Sequence, residues 1–330
     1  MSDSKIVRIV THPGDQAHDD EIVASAFVIA LETSPQDRVL LYRRDPTVEE
    51  IRDPGIWVLD VGADLLRKEL ISIDDINATE KKVCEHHHLG RHDDPDCAAW
   101  RVARSLRFRM GAATLHDLLW DCRPWYRFLG LIDAKGPFVA AKSLGIPSIP
   151  RELRSPLTSC ILREFSECSG DVPQPEWMID LLRRIGLGIV KGATEFRRDV
   201  LSVNSCSDRV GVRVGDTHVD AIWSDGLVKP AAVEQVKAKW EADAKFTCQV
   251  ALSWDDRGEG WTLYRYDDSP VVDFSRLEGM PGILFAHKGG FIAKTSERVP
   301  LGELKDFLRA AVVEQPVVDH DRRARHVHSV

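Results

Sequence analysis

Three short apolar runs rich in β-branched and aromatic residues constrain this chain most: Ile6-Val7-Arg8-Ile9-Val10, Val39-Leu40-Leu41-Tyr42 and Ile56-Trp57-Val58-Leu59. A helical pattern separates each from the next, and strand–helix alternation of this kind builds a mainly parallel, doubly wound sheet with helices on both faces. The helix after the first run, Ile22-Val23-Ala24 to Ala30-Leu31, is almost continuously apolar and is therefore expected to pack on several sides, with Asp19 or Asp20 as its cap. A second helix is expected over Thr47 to Arg52.

The predicted strands stop at polar residues. Thr11-His12-Pro13-Gly14 follows the first, Arg44-Asp45 the second and Asp60-Val61-Gly62 the third, while Ile132-Asp133 closes a later helical region. Open α/β sheets bind ligands outside the carboxyl ends of their strands, so these groups are candidates for one site. The stretch Val83-Cys84-Glu85-His86-His87-His88 adds to them, and six of the twelve histidines lie between His12 and His92. At an extended strand end His86 and His88 share one face while His87 takes the other. Mixed imidazole and carboxylate donors suit Mn²⁺, Fe²⁺ or Zn²⁺ better than Ca²⁺, and carboxylates bridging two such ions would give a phosphoester-cleaving site. Each carboxylate also has an ordinary role: Asp20 as a helix cap, Asp45 before a proline turn, Asp60 and Asp133 in turns. For Asp45 taken alone the ordinary role is favoured.

Length and composition set the frame for this site. With 330 residues and 43% hydrophobic content the chain can fill two cores, and two domains are expected. The formal net charge is −8, so nucleic-acid binding would need a local basic patch. Seven scattered cysteines with no CxxC pair argue for reduced thiols. The N-terminus enters a strand without an apolar signal core, and no stretch of 18 apolar residues occurs, so a soluble, cytoplasmic protein without a membrane partner is expected.

The clearest composition shift is Gly145-Ile146-Pro147-Ser148-Ile149-Pro150, which divides the chain into a catalytic domain over 1–145, a linker over 146–157, an α+β domain over 158–314 and a mobile tail over 315–330. Helices are expected over Ala98 to Phe108, Leu115 to Ile132, Leu157 to Cys168, Trp177 to Phe196 and Leu301 to Val313. Strands are expected over Val210 to Val214, His218 to Trp223, Thr247 to Trp254, Trp261 to Tyr266 and Gly282 to Ala286. After the last of these, His287-Lys288-Gly289-Gly290 offers glycine backbone that an anion can approach, with Lys294 nearby.

Taken in order, these segments resemble the DHH phosphoesterase superfamily, and within it the MYG-type metal-dependent exonucleases. The resemblance runs through Thr11-His12-Pro13-Gly14, His18-Asp19-Asp20-Glu21, Arg44-Asp45, Leu59-Asp60-Val61-Gly62, Glu85-His86-His87, Ile132-Asp133-Ala134 and Phe285-Ala286-His287-Lys288-Gly289-Gly290-Phe291-Ile292. It implies two divalent ions, Mn²⁺ foremost with Mg²⁺ as a substitute. Their ligands would be His12, His18, Asp20, Asp60, His86 and Asp133, with Asp60 bridging. It implies catalytic roles for Asp60, His87 and Asp45, and substrate contacts from Arg44, His287, Lys288, Gly289, Gly290 and Lys294 at a cleft between the domains. The chain departs from the family pattern where Glu85 replaces an Asp, where His12 and His18 stand one residue further apart, and where Lys135-Gly136 and Ala293-Lys294-Thr295 replace more typical residues.

The expected function is phosphodiester hydrolysis of single-stranded RNA, short oligonucleotides or nucleotides, in a monomer or a homodimer. The competing expectations are a phosphatase or cyclic-dinucleotide hydrolase, and a non-catalytic nucleotide sensor that has kept the fold.

Overall fold

The computed structural model describes residues 4–13, 18–78, 83–84, 96–106, 108–110, 113–143, 164–165, 167, 169–227, 229–244, 247–254, 259–266 and 271–313. The chain divides into two compact units, Met1–Glu195 and Phe196–Val330. The stretch expected to be a linker, the expected helix start at Leu157 and the tail lie outside the described residues.

In the first unit β1 (Ile6–Thr11), β2 (Arg38–Arg43), β3 (Ile56–Leu59) and β4 (Val83–Cys84) form one sheet in the order β2-β1-β3-β4, and every pairing is parallel. This bears out the expected α/β architecture. Helix α1 (Asp19–Glu32) connects β1 to β2, and α2 (Val48–Arg52) carries the chain from β2 back past β1 to β3. The direction of winding therefore reverses at β1, and the crevice between the carboxyl ends of β1 and β3 is the topological switch point. Register aligns those ends, because Thr11 pairs with both Arg43 and Leu59, and Leu59 pairs with Cys84. His12, Arg44 and Asp60 each follow that row by one residue.

The core follows from the apolar runs. Ile9, Val10, Leu41, Val58 and Leu59 are fully buried, as are Ala24, Phe27, Val28 and Ile29 of α1. After α3 (Ala63–Arg67) and α4 (Ile73–Ala78), the helices α5 (Ala98–Ser105), α6 (Leu115–Cys122), α7 (Pro124–Lys135) and α8 (Pro137–Ser143) complete this part, with a short ribbon of β5 (Arg109–Met110) and β6 (Ala113–Thr114) before α6.

Two expectations need correction. The single helix expected over Leu115 to Ile132 is broken at Arg123, which takes an extended conformation (φ −133°, ψ 93°) because Pro124 crowds it and restarts the helix from its first position. The N-terminus of α1 is also one or two residues earlier than expected: His18 occupies the capping position, so Asp19 and Asp20 lie inside the first turn.

The second unit begins within the long helix α9 (Glu176–Cys206) and continues through β7 (Ser207–Val214), β8 (Thr217–Leu227), α10 (Pro230–Ala244), β9 (Val250–Trp254), β10 (Trp261–Arg265), β11 (Ile283–Ala286), β12 (Ile292–Thr295) and α11 (Leu301–Ala311). Among the described residues its six strands are ordered β11-β12-β10-β9-β8-β7. All neighbours are antiparallel except β8 and β9, which α10 joins by a crossover and which are therefore parallel. Val219, Val250, Leu252, Trp261 and Leu263 of the sheet pack with Phe274, Leu304 and Leu308 to form its core. The Trp261 indole donates to the Val299 carbonyl at 2.9 Å, which satisfies the buried N–H. This is the α+β arrangement expected for the second half.

Candidate metal centre

The site assembles at the switch point because three parts of the fold end there. β1 delivers Thr11 and His12, β3 delivers Asp60, and the N-terminal end of α1 delivers His18 and Asp20. The ring centroids of His12 and His18 stack 5.2 Å apart. The Nδ1 atom of His18 lies 3.5 Å from Oδ2 of Asp60. Asp133 enters from α7, and donor atoms of His18, Asp20 and Asp133 lie within 4.8 Å of one another. Five of the six candidate ligands therefore lie in this region, namely His12, His18, Asp20, Asp60 and Asp133. His86 and His87 lie outside the described residues.

Backbone geometry singles out Asp60. Its φ of 59° is left-handed, which only one other described non-glycine residue, Glu69, shares. Aspartate tolerates this region better than most side chains, yet the conformation still costs about 1 kcal/mol or more and persists only where its surroundings impose it. Gly62, at φ 114°, completes the sharp exit before α3. The Asp60 side chain is thereby held in the buried floor of the crevice, at 1% exposure.

The electrostatics of the cluster are unbalanced. Asp20 is buried, and burial raises its pKa well above the usual carboxylate range, reinforced by repulsion from Asp60, Asp133 and Glu21; the Ala98 backbone N–H, donating at 3.1 Å, opposes the shift. The interaction with Asp60 holds the His18 imidazole above its ordinary pKa against the opposing effect of burial. Asp60 and Asp133 both raise the pKa of the buried Asp20, and a cation bound among the three would relieve that repulsion. The donor set fits a divalent ion. His12 reinforces the fit, since its Nδ1 is buried with no hydrogen-bond partner among the described residues.

A network beneath the cluster was not foreseen from the sequence. Glu21, fully buried, accepts hydrogen bonds from Thr11 Oγ1 at 2.9 Å, from the His12 backbone N–H at 3.2 Å and from the His18 backbone N–H at 3.0 Å. Arg43, also fully buried, faces it at 3.5 Å and is held by the Phe165 carbonyl at 3.2 Å and by the Phe165 ring. Burial pushes Glu21 up to about 7 while Arg43 pulls it down. The guanidinium and both amides can only donate, so this environment fits the carboxylate form. Half of the signal was present in the sequence, because a Glu three residues after a helix cap is the reaching-back element of a capping box. Nothing in Arg43-Arg44 told the two arginines apart.

The chain matches no family model and no curated protein. Solved structures share a weak likeness. Among them is RecJ from Thermus thermophilus in complex with Mn²⁺, at 13% identity and a TM-score of 0.26, with 94% of this chain covered. The chain spans about half that protein's length, 53%. A likeness this low carries no argument about the site, which stands on its own geometry. No helix among the described residues is long and apolar enough to cross a membrane.

The remaining candidate residues are placed as follows. Asp45 is exposed after β2, and its carbonyl accepts from Arg44 at 2.9 Å. Arg44 is bidentate to Glu50, at 2.6 and 2.7 Å, and also meets Asp171 at 3.1 Å. In the second unit His287, Lys288 and Gly289 are exposed on the turn between β11 and β12, and Lys294 is on β12. His287 packs against Phe291 with centroids 4.4 Å apart and against Phe285 at 6.2 Å.

Gly290 is fixed by its own unit. Its φ is 69°, its carbonyl accepts from Phe274 N at 3.0 Å, and an added Cβ would collide with the Asp273 carboxylate. Gly290→Ala is therefore expected to destabilise the second unit by about 1–3 kcal/mol in urea unfolding, whatever the turn binds. Unchanged stability would show that Asp273 moves aside. Lys288→Ala probes anion binding at the same turn without that strain.

Proposed function

We propose that this protein is a divalent-metal-dependent phosphodiesterase of the DHH type that acts on single-stranded RNA or short oligonucleotides. The observation that carries the reading is the convergence of His18, Asp20, Asp60 and Asp133 at the switch point, with excess carboxylate charge and His12 alongside. His18, Asp20 and Asp133 would hold one divalent ion, with Asp60 and His12 extending the donor set toward a second. Mixed imidazole and carboxylate donors favour Mn²⁺. When bound, the metal supplies Lewis acidity toward a phosphoryl oxygen and lowers the pKa of water.

The residues of the chain have separate tasks. Asp60, with its backbone locked, fixes the position of a carboxylate in the floor of the crevice, so no reorganisation is needed when charge develops. His18 can carry a proton on the ring that faces Asp60. On the second unit the exposed rings of Phe285, His287 and Phe291, beside Lys288 and Lys294, have the character of a surface that stacks bases and attracts phosphates, which favours an oligonucleotide over a simple phosphomonoester.

The test uses the purified full chain with end-labelled RNA, DNA oligonucleotides, cyclic dinucleotides and phosphomonoesters. Hydrolysis of short single strands is expected with Mn²⁺, with loss in EDTA and recovery on adding Mn²⁺ back. Turnover of cyclic dinucleotides or monoesters alone would replace the oligonucleotide reading. Saturating Mn²⁺ with neither binding nor hydrolysis would end the enzymatic one.

A further inference from the structure

We infer that Glu21 is the positioning residue of the metal centre: it binds no ion itself and fixes the relative placement of His12 and His18. The inference rests on the metal reading above and adds a residue to it. His12 and His18 lie on two different elements, the end of β1 and the cap of α1. One carboxylate spans both. Oε2 of Glu21 takes the His12 backbone N–H and the Thr11 hydroxyl, while Oε1 takes the His18 backbone N–H. Moving either oxygen by a few tenths of an ångström would shift one histidine relative to the other, and their rings are in stacking contact at 5.2 Å.

Two features argue that this arrangement serves the site and is more than a helix cap. An ordinary capping box ties a helix's third residue to its own cap, which here is the bond to His18; Glu21 reaches further, to the strand nine and ten residues earlier. Its charge also has a dedicated buried partner. Arg43 is itself clamped by Phe165, so the carboxylate is held from below as well as from both sides. With both oxygens engaged by donors, Glu21 is the buried acid of the cluster least available to an ion. Asp20, its neighbour in sequence, points instead into the group with His18 and Asp133.

The experiment compares wild type, Glu21→Gln and Thr11→Val as full-length proteins. Glutamine keeps the shape but sets an NH₂ group against at least one neighbour that can only donate. Valine keeps the strand and removes one hydroxyl from Oε2. Three readouts are used: Mn²⁺ affinity by calorimetry, the visible spectrum of bound Co²⁺, and amide hydrogen exchange at His12 and His18 in the metal-free protein. Glu21→Gln is expected to weaken Mn²⁺ binding by about 10–100-fold, the range typical of groups that orient metal ligands. It should also shift the Co²⁺ bands and speed exchange at both amides. Thr11→Val should do the same to a smaller degree, and it stands as the test if Glu21→Gln does not fold. Metal bound by wild type and variants with the same affinity and the same Co²⁺ spectrum would overturn the inference alone. A wild-type protein that binds neither Mn²⁺ nor Co²⁺ would overturn the metal reading and this inference with it.

Discussion

Asp60→Asn is expected to weaken Mn²⁺ binding by about a hundredfold or more and to slow phosphodiester hydrolysis on the order of a thousandfold. The metal-free protein should stay close to wild type in stability. The two halves of this result have one cause. Asp60 is buried at 1% exposure, repels Asp20 and meets His18, so in the metal-free protein losing its charge relieves one contact while it weakens the other. Asparagine removes that charge, keeps the volume and tolerates the left-handed φ of 59°. Alanine is the poorer probe, because it tolerates the left-handed region less well and would add a stability loss of about 1–2 kcal/mol unrelated to metal. Thermal unfolding gives a direct reading. An ion present at about 100 times its dissociation constant stabilises wild type by about 2.7 kcal/mol, and the variant at the same concentration should gain little. A variant that is strongly destabilised without metal, and still responds to Mn²⁺ like wild type, would make Asp60 a structural turn residue.

How much of this could be read from the sequence depended on whether the signal was local. The strands Ile6–Thr11, Arg38–Arg43 and Ile56–Leu59 were legible because β-branched and aromatic runs bounded by Pro, Gly and Asp carry their own signal. Their parallel order followed from the helices between them. His12, His18, Asp20, Asp60 and Asp133 were nameable because they sit where elements begin or end, or match a motif order. Whether they meet was a question of tertiary structure, and the switch point between β1 and β3 is what answers it. The break at Arg123 was missed although Pro124 announces it, because the apolar period continues in phase through the break and masks the local signal. The pairing of Glu21 with Arg43 was not legible. It joins residues on adjacent elements through burial, and Arg43 differs from Arg44 only in which side of the chain it faces: Arg43 turns inward to Glu21, and Arg44 turns outward to Glu50 and Asp171.

The second large effect concerns two glycines on α9 that a helix scale treats alike. Gly→Ala inside a helix ordinarily stabilises by about 1 kcal/mol, because alanine loses less backbone freedom on folding. Gly188 is exposed, with open space around an added Cβ, so Gly188→Ala should gain about 0.5–1 kcal/mol. Gly186 is only two residues away, but an added Cβ there would drive into the carbonyl of Ala26 and the methyl of Ala30 on α1. The obstacle at Ala26 is backbone, which cannot swing aside as a side chain can, so α9 would have to lift from α1. Gly186→Ala is therefore expected to lose about 1–3 kcal/mol after the helix gain is counted. The consequence should reach the site, since α1 carries His18 at its cap and Asp20 and Glu21 in its first turn. Urea unfolding of the two variants should show opposite signs relative to wild type, with weakened Mn²⁺ binding only for Gly186→Ala. Equal effects of the two substitutions would mean that α1 and α9 do not approach as closely as described, and the rigid placement of the α1 end of the metal centre would lose its physical basis.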